Sequence, residues 1–151
     1  MRAALAGLAD AGVRVIASWN GPVEPGVDVP ANAALVPWLS YAATMPGCDL
    51  VLTHGGHGTL ARALVSGCPV VACPAGGDMN ENAARIDRLG YGVRLPRRFG
   101  TPWGIRLAVE RALAHPELRE RTRALARWAA AHDGPATAAR ELEAWLARPG
   151  G

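Results

Sequence analysis

The stretch that most limits what this chain can fold into is DLVLT-HGGHGT-LARAL, residues 49 to 64. A short aliphatic run passes into a glycine-rich turn and then directly into a helix-forming segment. DLVLT has too few polar residues to alternate between core and water, so it reads as a strand covered on both faces, the state of strands in parallel sheets. PVVACP (69–74) and GVRLP (92–96) repeat the pattern. LARALVSG (60–67) and MNENAARIDRLG (79–90) between them read as helices, each ending at a glycine. Alternating strands and helices predict an α/β fold with a doubly wound parallel sheet, whose ligands sit at the carboxyl ends of the strands near a topological switch point.

Upstream, RAALAGLADA (2–11) is helical by propensity, VRVIASW (13–19) and AALVPW (33–38) read as strands, and the Pro- and Gly-rich 20–32 segment as a loop. Ser40 to Met45 reads as one or two helical turns. Downstream of 96 the chain is helical, with three apolar faces: Ile105, Val109, Ala112 and Leu113; Leu118, Thr122, Leu125 and Ala129; Ala138, Leu142, Trp145 and Leu146. Doubly wound units usually open on a strand, whereas this chain opens on a helix.

The chain's 151 residues, half of them hydrophobic and 19% charged, suffice for one domain with its own core, and they exclude a disordered chain. We assign residues 1–147 to that domain and 148–151 to a frayed tail. No stretch approaches the ~18 unbroken apolar residues of a membrane span, and the N-terminus lacks the apolar core and cleavage site of a signal peptide. The expectation is a soluble, cytoplasmic protein. The three cysteines, Cys48, Cys68 and Cys73, show no C-x-x-C spacing and read as small buried packing residues in a reducing compartment. The net charge is +3, and all sixteen basic residues are arginine, most interleaved with acids along helices. Arg94, Arg97 and Arg98 form the tightest cluster but have few aromatics around them, so a nucleic-acid partner is not expected.

The HGGHGT loop carries the chemistry. Gly55, Gly56 and Gly58 allow a tight turn and the close approach of a ligand to the backbone. The first turn of the following helix leaves amide groups unpaired and partially positive, which suits a phosphate. Thr59 offers a hydroxyl and a cap. His54 offers an imidazole that can donate to a phosphate oxygen and can be protonated near neutral pH. The loop lacks the lysine of a P-loop and the G-x-G-x-x-G spacing. His54 and His57 have no further ligands at zinc spacing, so no metal is expected. A second strand end, CPAGGDMNENAAR (73–85), lies on the same sheet edge. There Asp78 is placed either to cap its helix or to accept hydrogen bonds from ligand hydroxyls, and Asn82 is open to the same alternatives.

HGGHGTLARAL, GCPVVACP, GDMNENAAR and GYGVRLP, in this order, resemble the donor-binding half of family 1 glycosyltransferases of the GT-B fold. The bacterial macrolide and natural-product enzymes are the nearest likeness. The resemblance is strong from about Leu35 to Leu95 and weaker to about Leu146. It implies a Rossmann-like C-terminal domain that binds a nucleotide-diphosphate sugar, UDP- or TDP-hexose, for inverting transfer to a small-molecule acceptor hydroxyl. It places His54 and the backbone of Gly55, Gly56, His57, Gly58 and Thr59 on the diphosphate, and Asp78 and Met79 on the sugar hydroxyls. Trp38 is the candidate to stack on the base, with a core position as its alternative. No cofactor is implied.

The sequence departs from the family pattern at Met79, where a Gln is usual, at Arg62, where plant-type members carry a ribose-binding Glu, and at Thr53, where many members have a first His. The acceptor domain that supplies the catalytic base is absent, and so is the first, mid-sheet strand of the donor domain, so catalytic residues stay unassigned. The alternatives are a non-catalytic nucleotide-binding module or fragment, half of a two-chain glycosyltransferase paired with an acceptor-domain chain, or a nucleotide-sugar epimerase.

Overall fold

A computed structural model of the chain describes residues 1–22 and 26–148. The elements, in chain order, are α1 (Arg2–Leu8), β1 (Val15–Ser18), β2 (Ala33–Val36), α2 (Tyr41–Thr44), β3 (Val51–Thr53), α3 (His57–Val65), β4 (Val70–Ala72), α4 (Asp78–Arg88), β5 (Gly92–Arg94), α5 (Pro102–Ala114), α6 (Pro116–Ala130) and α7 (Gly134–Leu146). Short 3-10 turns follow α2 at Met45–Gly47 and β5 at Arg97–Phe99.

All strand pairs are parallel. The expected single sheet is divided into two: β1 pairs with β2, and β3, β4 and β5 pair in that order. The three-stranded sheet is wound on both faces. Val70 and Ala72 of β4 point into a cluster with Leu60 and Ala63 of α3 and Ala83 and Ile86 of α4. Val71, one residue out of phase, points the other way, into a cluster with Leu8 of α1 and Ile105, Ala108, Val109 and Ala112 of α5. β4, covered on both sides, is buried at every position, as its sequence predicts. β1 and β2 are not: no position of either is fully buried, and Ile16 remains 46% exposed.

Close approach of elements depends on glycines. A Cβ on Gly7 of α1 would land on the Pro102 carbonyl at the start of α5, and one on Gly92 of β5 would land on the Val70 carbonyl of β4. The amide of Asn32 donates to Leu8 O and Val13 O, both at 2.8 Å, and so ties the end of α1 and the start of β1 to β2. Thr122, fully buried, turns its hydroxyl toward Gly67 O at 3.0 Å and holds α6 to the turn after α3.

Several expectations are corrected. α1 ends at Leu8, short of Ala11. α3 starts at His57 rather than Leu60, so its cap is Gly56, and Thr59 lies inside the first turn. α4 is capped by Gly77, which makes Asp78 its first helical residue rather than its cap. Gly77 adopts φ 57° and ψ −141°, a conformation open to glycine. The apolar stripe of α7 meets no core: Leu142, Trp145 and Leu146 are 63 to 73% exposed. Of the 148–151 tail, residues 149–151 lie outside the described residues, as do residues 23–25 of the 20–32 loop.

The cysteines also depart from the uniform burial expected of them. All three are free thiols. Cys68 is buried, whereas Cys48 and Cys73 are half-buried. Burial pushes the Cys68 thiol up to about 11, reinforced by Cys48 and Asp49. At pH 8 that leaves roughly one thiol in a thousand ionised. An aromatic disulfide reagent is therefore expected to modify Cys48 and Cys73 first and Cys68 slowest in the native protein. Mass spectrometry of partly labelled protein checks this order, and rapid Cys68 labelling would contradict the described packing.

Candidate functional site

Because the strands are parallel, the loops after β3 and β4 leave the sheet at one edge, with Thr53 opposite Ala72 in the register. The first loop is His54-Gly55-Gly56. Gly55 takes φ 91°, and a Cβ there would stand 3.2 Å from Met79 O. This is the one glycine of the loop that the turn itself requires. Gly56 and Gly58 have ordinary φ values, which corrects the expectation that all three make the turn. Their use is to leave room. A Cβ on Gly56 would meet His54 Nε2 at 2.8 Å, so the imidazole lies folded over the Gly56 backbone. A Cβ on Gly58 would meet nothing within 4 Å, and His54, His57 and Gly58 are exposed.

The first helical bond of α3 runs from the Leu60 amide to Gly56 O at 3.0 Å. The amides of His57, Gly58 and Thr59 therefore precede the helical ladder, and no side chain caps this end. An exposed turn of unpaired donors, the positive end of the helix dipole and a neighbouring imidazole together form an arrangement whose polarity suits a multiply charged oxyanion.

The second loop, Cys73 to Gly77, feeds α4. Asp78 and Glu81 sit in its first turn, where their charge favours the helix dipole. Asp78 is exposed and free to meet a ligand, while Met79 is half-buried with its backbone against Gly55. Asn82 joins the two loops. Its amide donates to Gly55 O at 3.2 Å and lies 3.5 Å from Asp78 Oδ2. Asn82 thus holds the loops in register rather than presenting its amide to solvent.

One contributor was missed in the sequence. Arg97, in the turn after β5, donates to Ala75 O at 3.2 Å and braces the second loop. The 22-position separation of the two partners leaves no local signal for it. Arg98, next to it, lies over the Phe99 ring, 4.7 Å from its centroid. Burial raises the Cys73 thiol, and the Met1 amine and the Arg97 guanidinium partly offset this.

Trp38 follows β2 at the carboxyl edge of the two-stranded sheet and is 74% exposed. Its core alternative is thereby excluded. Arg62, on α3, is exposed. No group of three or more His, Cys, Asp or Glu side chains able to hold a metal ion gathers among the described residues. No helix among them is long and apolar enough to cross a membrane.

A two-faced parallel sheet with consecutive glycine-rich loops on its carboxyl edge is a Rossmann-like arrangement, and its structural neighbours are GT-B glycosyltransferases. Residues 2–145 match the family model described as erythromycin biosynthesis protein CIII-like, C-terminal domain, and the chain belongs to this family of glycosyltransferase sugar-donor domains. It is 34% identical over 116 residues to 4'-demethylrebeccamycin synthase of Lentzea aerocolonigenes, covering 77% of this chain and 27% of that protein. It is 32% identical over 116 residues to 3-alpha-mycarosylerythronolide B desosaminyl transferase of Saccharopolyspora erythraea, covering 76% of this chain and 28% of that protein. The crystal structure of the calicheamicin glycosyltransferase CalG4 superposes with a TM-score of 0.86 at 32% identity, over 99% of this chain and 38% of that one. The chain thus spans little more than a third of the length of these relatives at most.

Proposed function

We propose that this domain binds the diphosphate of a nucleotide-activated hexose, UDP- or TDP-linked, for inverting transfer of the sugar to a small-molecule hydroxyl. The observation that carries the reading is the uncapped, exposed start of α3 with His54 folded beside it. As the anomeric carbon–oxygen bond breaks, negative charge gathers on the departing diphosphate. Fixed amides of His57, Gly58 and Thr59 and the His54 imidazole meet that charge without reorganising, which lowers the barrier. Asp78, exposed at the neighbouring helix start, accepts from sugar hydroxyls. Met79, in place of a polar side chain, supplies one hydrogen bond fewer, which suits a deoxysugar. Trp38 offers its exposed ring to the base.

The general base and the acceptor pocket belong to an acceptor-binding partner domain in this reading. The chain by itself therefore binds donor without transferring sugar. Calorimetric titration with UDP and TDP, followed by a transfer assay on the same sample, tests it. Saturable binding of at least one nucleotide without transfer is expected. Absence of binding to both in a folded sample would overturn the proposal, and conversion of the donor without acceptor would point to an epimerase.

A further inference from the structure

We propose that Cys48 and Cys68 form a paired-thiol modification site, which a small-molecule disulfide converts into a disulfide bond within the chain. The two cysteines stand just before β3 and β4, at the sheet edge opposite the glycine-rich loops. The Val51 amide bonds to Pro69 O at 2.9 Å, so the two segments already run side by side at the residue after Cys68.

The side chains converge on one turn. Cys68 Sγ lies 2.8 Å from Met45 O and 3.2 Å from Cys48 O. Cys48 Sγ lies 3.4 Å from Thr44 O, the carbonyl next to that of Met45. Both side chains pack in the cluster that holds Leu60, Ala63 and Val70. Neighbouring strands run ~4.8 Å apart, which lies within the ~4.4–6.8 Å between Cα atoms that a disulfide spans. Loss of the Cys68 S–H does not strand Met45 O, which also accepts from the Cys48 amide at 3.0 Å.

Exposure divides the roles. Cys48 is half-buried and can meet a reagent, whereas Cys68 is 1% exposed and shielded from one. Cys73 follows β4 where Cys68 precedes it. Five residues of extended chain at ~3.3 Å each put Cys73 about 16 Å from Cys68, beyond the reach of a disulfide.

The chemistry is thiol–disulfide exchange. Cys48 gives up its proton, and its sulfur attacks one sulfur of the reagent. The reagent's S–S bond breaks, and its other half leaves as a thiol carrying a proton. Cys68 then loses its proton and attacks Cys48 Sγ, which expels the second half as a thiol. Two protein thiols are oxidised and one disulfide is reduced to two thiols. Burial raises both protein thiols, which slows the exchange, but in the second step the attacking sulfur is already held beside its target. The new bond closes the chain around β3, the His54-Gly55-Gly56 loop and α3, and so restricts the unfolded state. This inference stands independently of the donor reading.

The test is to incubate the folded chain with oxidised glutathione, trap remaining thiols with N-ethylmaleimide, and map unreduced peptides by mass spectrometry. A Cys48–Cys68 linked peptide pair within the monomer is expected, reversed by dithiothreitol, with a higher urea midpoint in the oxidised form. Cys73 is expected to end as a thiol or as a glutathione adduct. In Cys68→Ala, Cys48 is expected to keep its glutathione, because the resolving sulfur is gone. In Cys48→Ser, which changes only a half-buried side chain, Cys68 is expected to remain a thiol. A parent chain in which glutathione stays on Cys48 beside a free Cys68 would overturn the proposal. So would two thiols that never react, a bond that joins two chains or forms only in urea, or an oxidised form with an unchanged or lower midpoint.

Discussion

Substituting alanine for His54 is expected to lower kcat/KM about 100-fold in a transferase that joins this chain to an acceptor-binding half, the size of effect found when one preorganised oxyanion donor is removed. In the isolated chain the same change should weaken UDP or TDP affinity with no loss of stability, because His54 is exposed over the Gly56 backbone. An unchanged kcat/KM would remove His54 from the diphosphate. Gly58→Ala sharpens the test. Gly58 is helical, has no neighbour within 4 Å of a new Cβ, and gains helix propensity, so stability should rise by up to about 1 kcal/mol. If the first turn of α3 faces the ligand, the same methyl obstructs the approach and nucleotide binding falls. Stability and affinity then move in opposite directions, which a purely structural role for the turn does not produce. Calorimetry and urea denaturation of one preparation read both.

The second large effect is on folding. Gly92→Ala places a methyl against the Val70 carbonyl of the adjacent strand, with the Ile86 side chain also within 2.9 Å. Backbone cannot yield there without breaking the β4–β5 ladder, in which Val70 opposes Gly92. A loss of at least ~3 kcal/mol is expected, a large share of the stability of a domain this size. Urea denaturation of the variant, or its failure to accumulate in soluble form, provides the measurement. A midpoint within error of the parent would mean that β4 and β5 do not approach as described.

Part of this site was written locally. Two aliphatic runs followed by glycine-rich turns identify β3, β4 and their loops, and the parallel sheet puts both loops on one edge. Other parts were not. Helix boundaries shifted by up to three residues because Gly56 and Gly77, not Thr59 and Asp78, start the helices. The apolar stripe of α7 correctly signals a helix and wrongly suggests a place in this core. Hydrophobic period reports that a face is to be covered, not what covers it.

Residues 49–96 by themselves determined the type of sheet and the edge on which its two glycine-rich loops stand. Burial and turn formation act between near neighbours, so periodicity and glycine placement record them. Only the tertiary structure decided that Asn82 bonds to Gly55, that Arg97 braces Ala75 and that Trp38 stands in solvent. Each of these depends on groups brought together, or kept apart, across long separations in the chain, and no local pattern of residues encodes that.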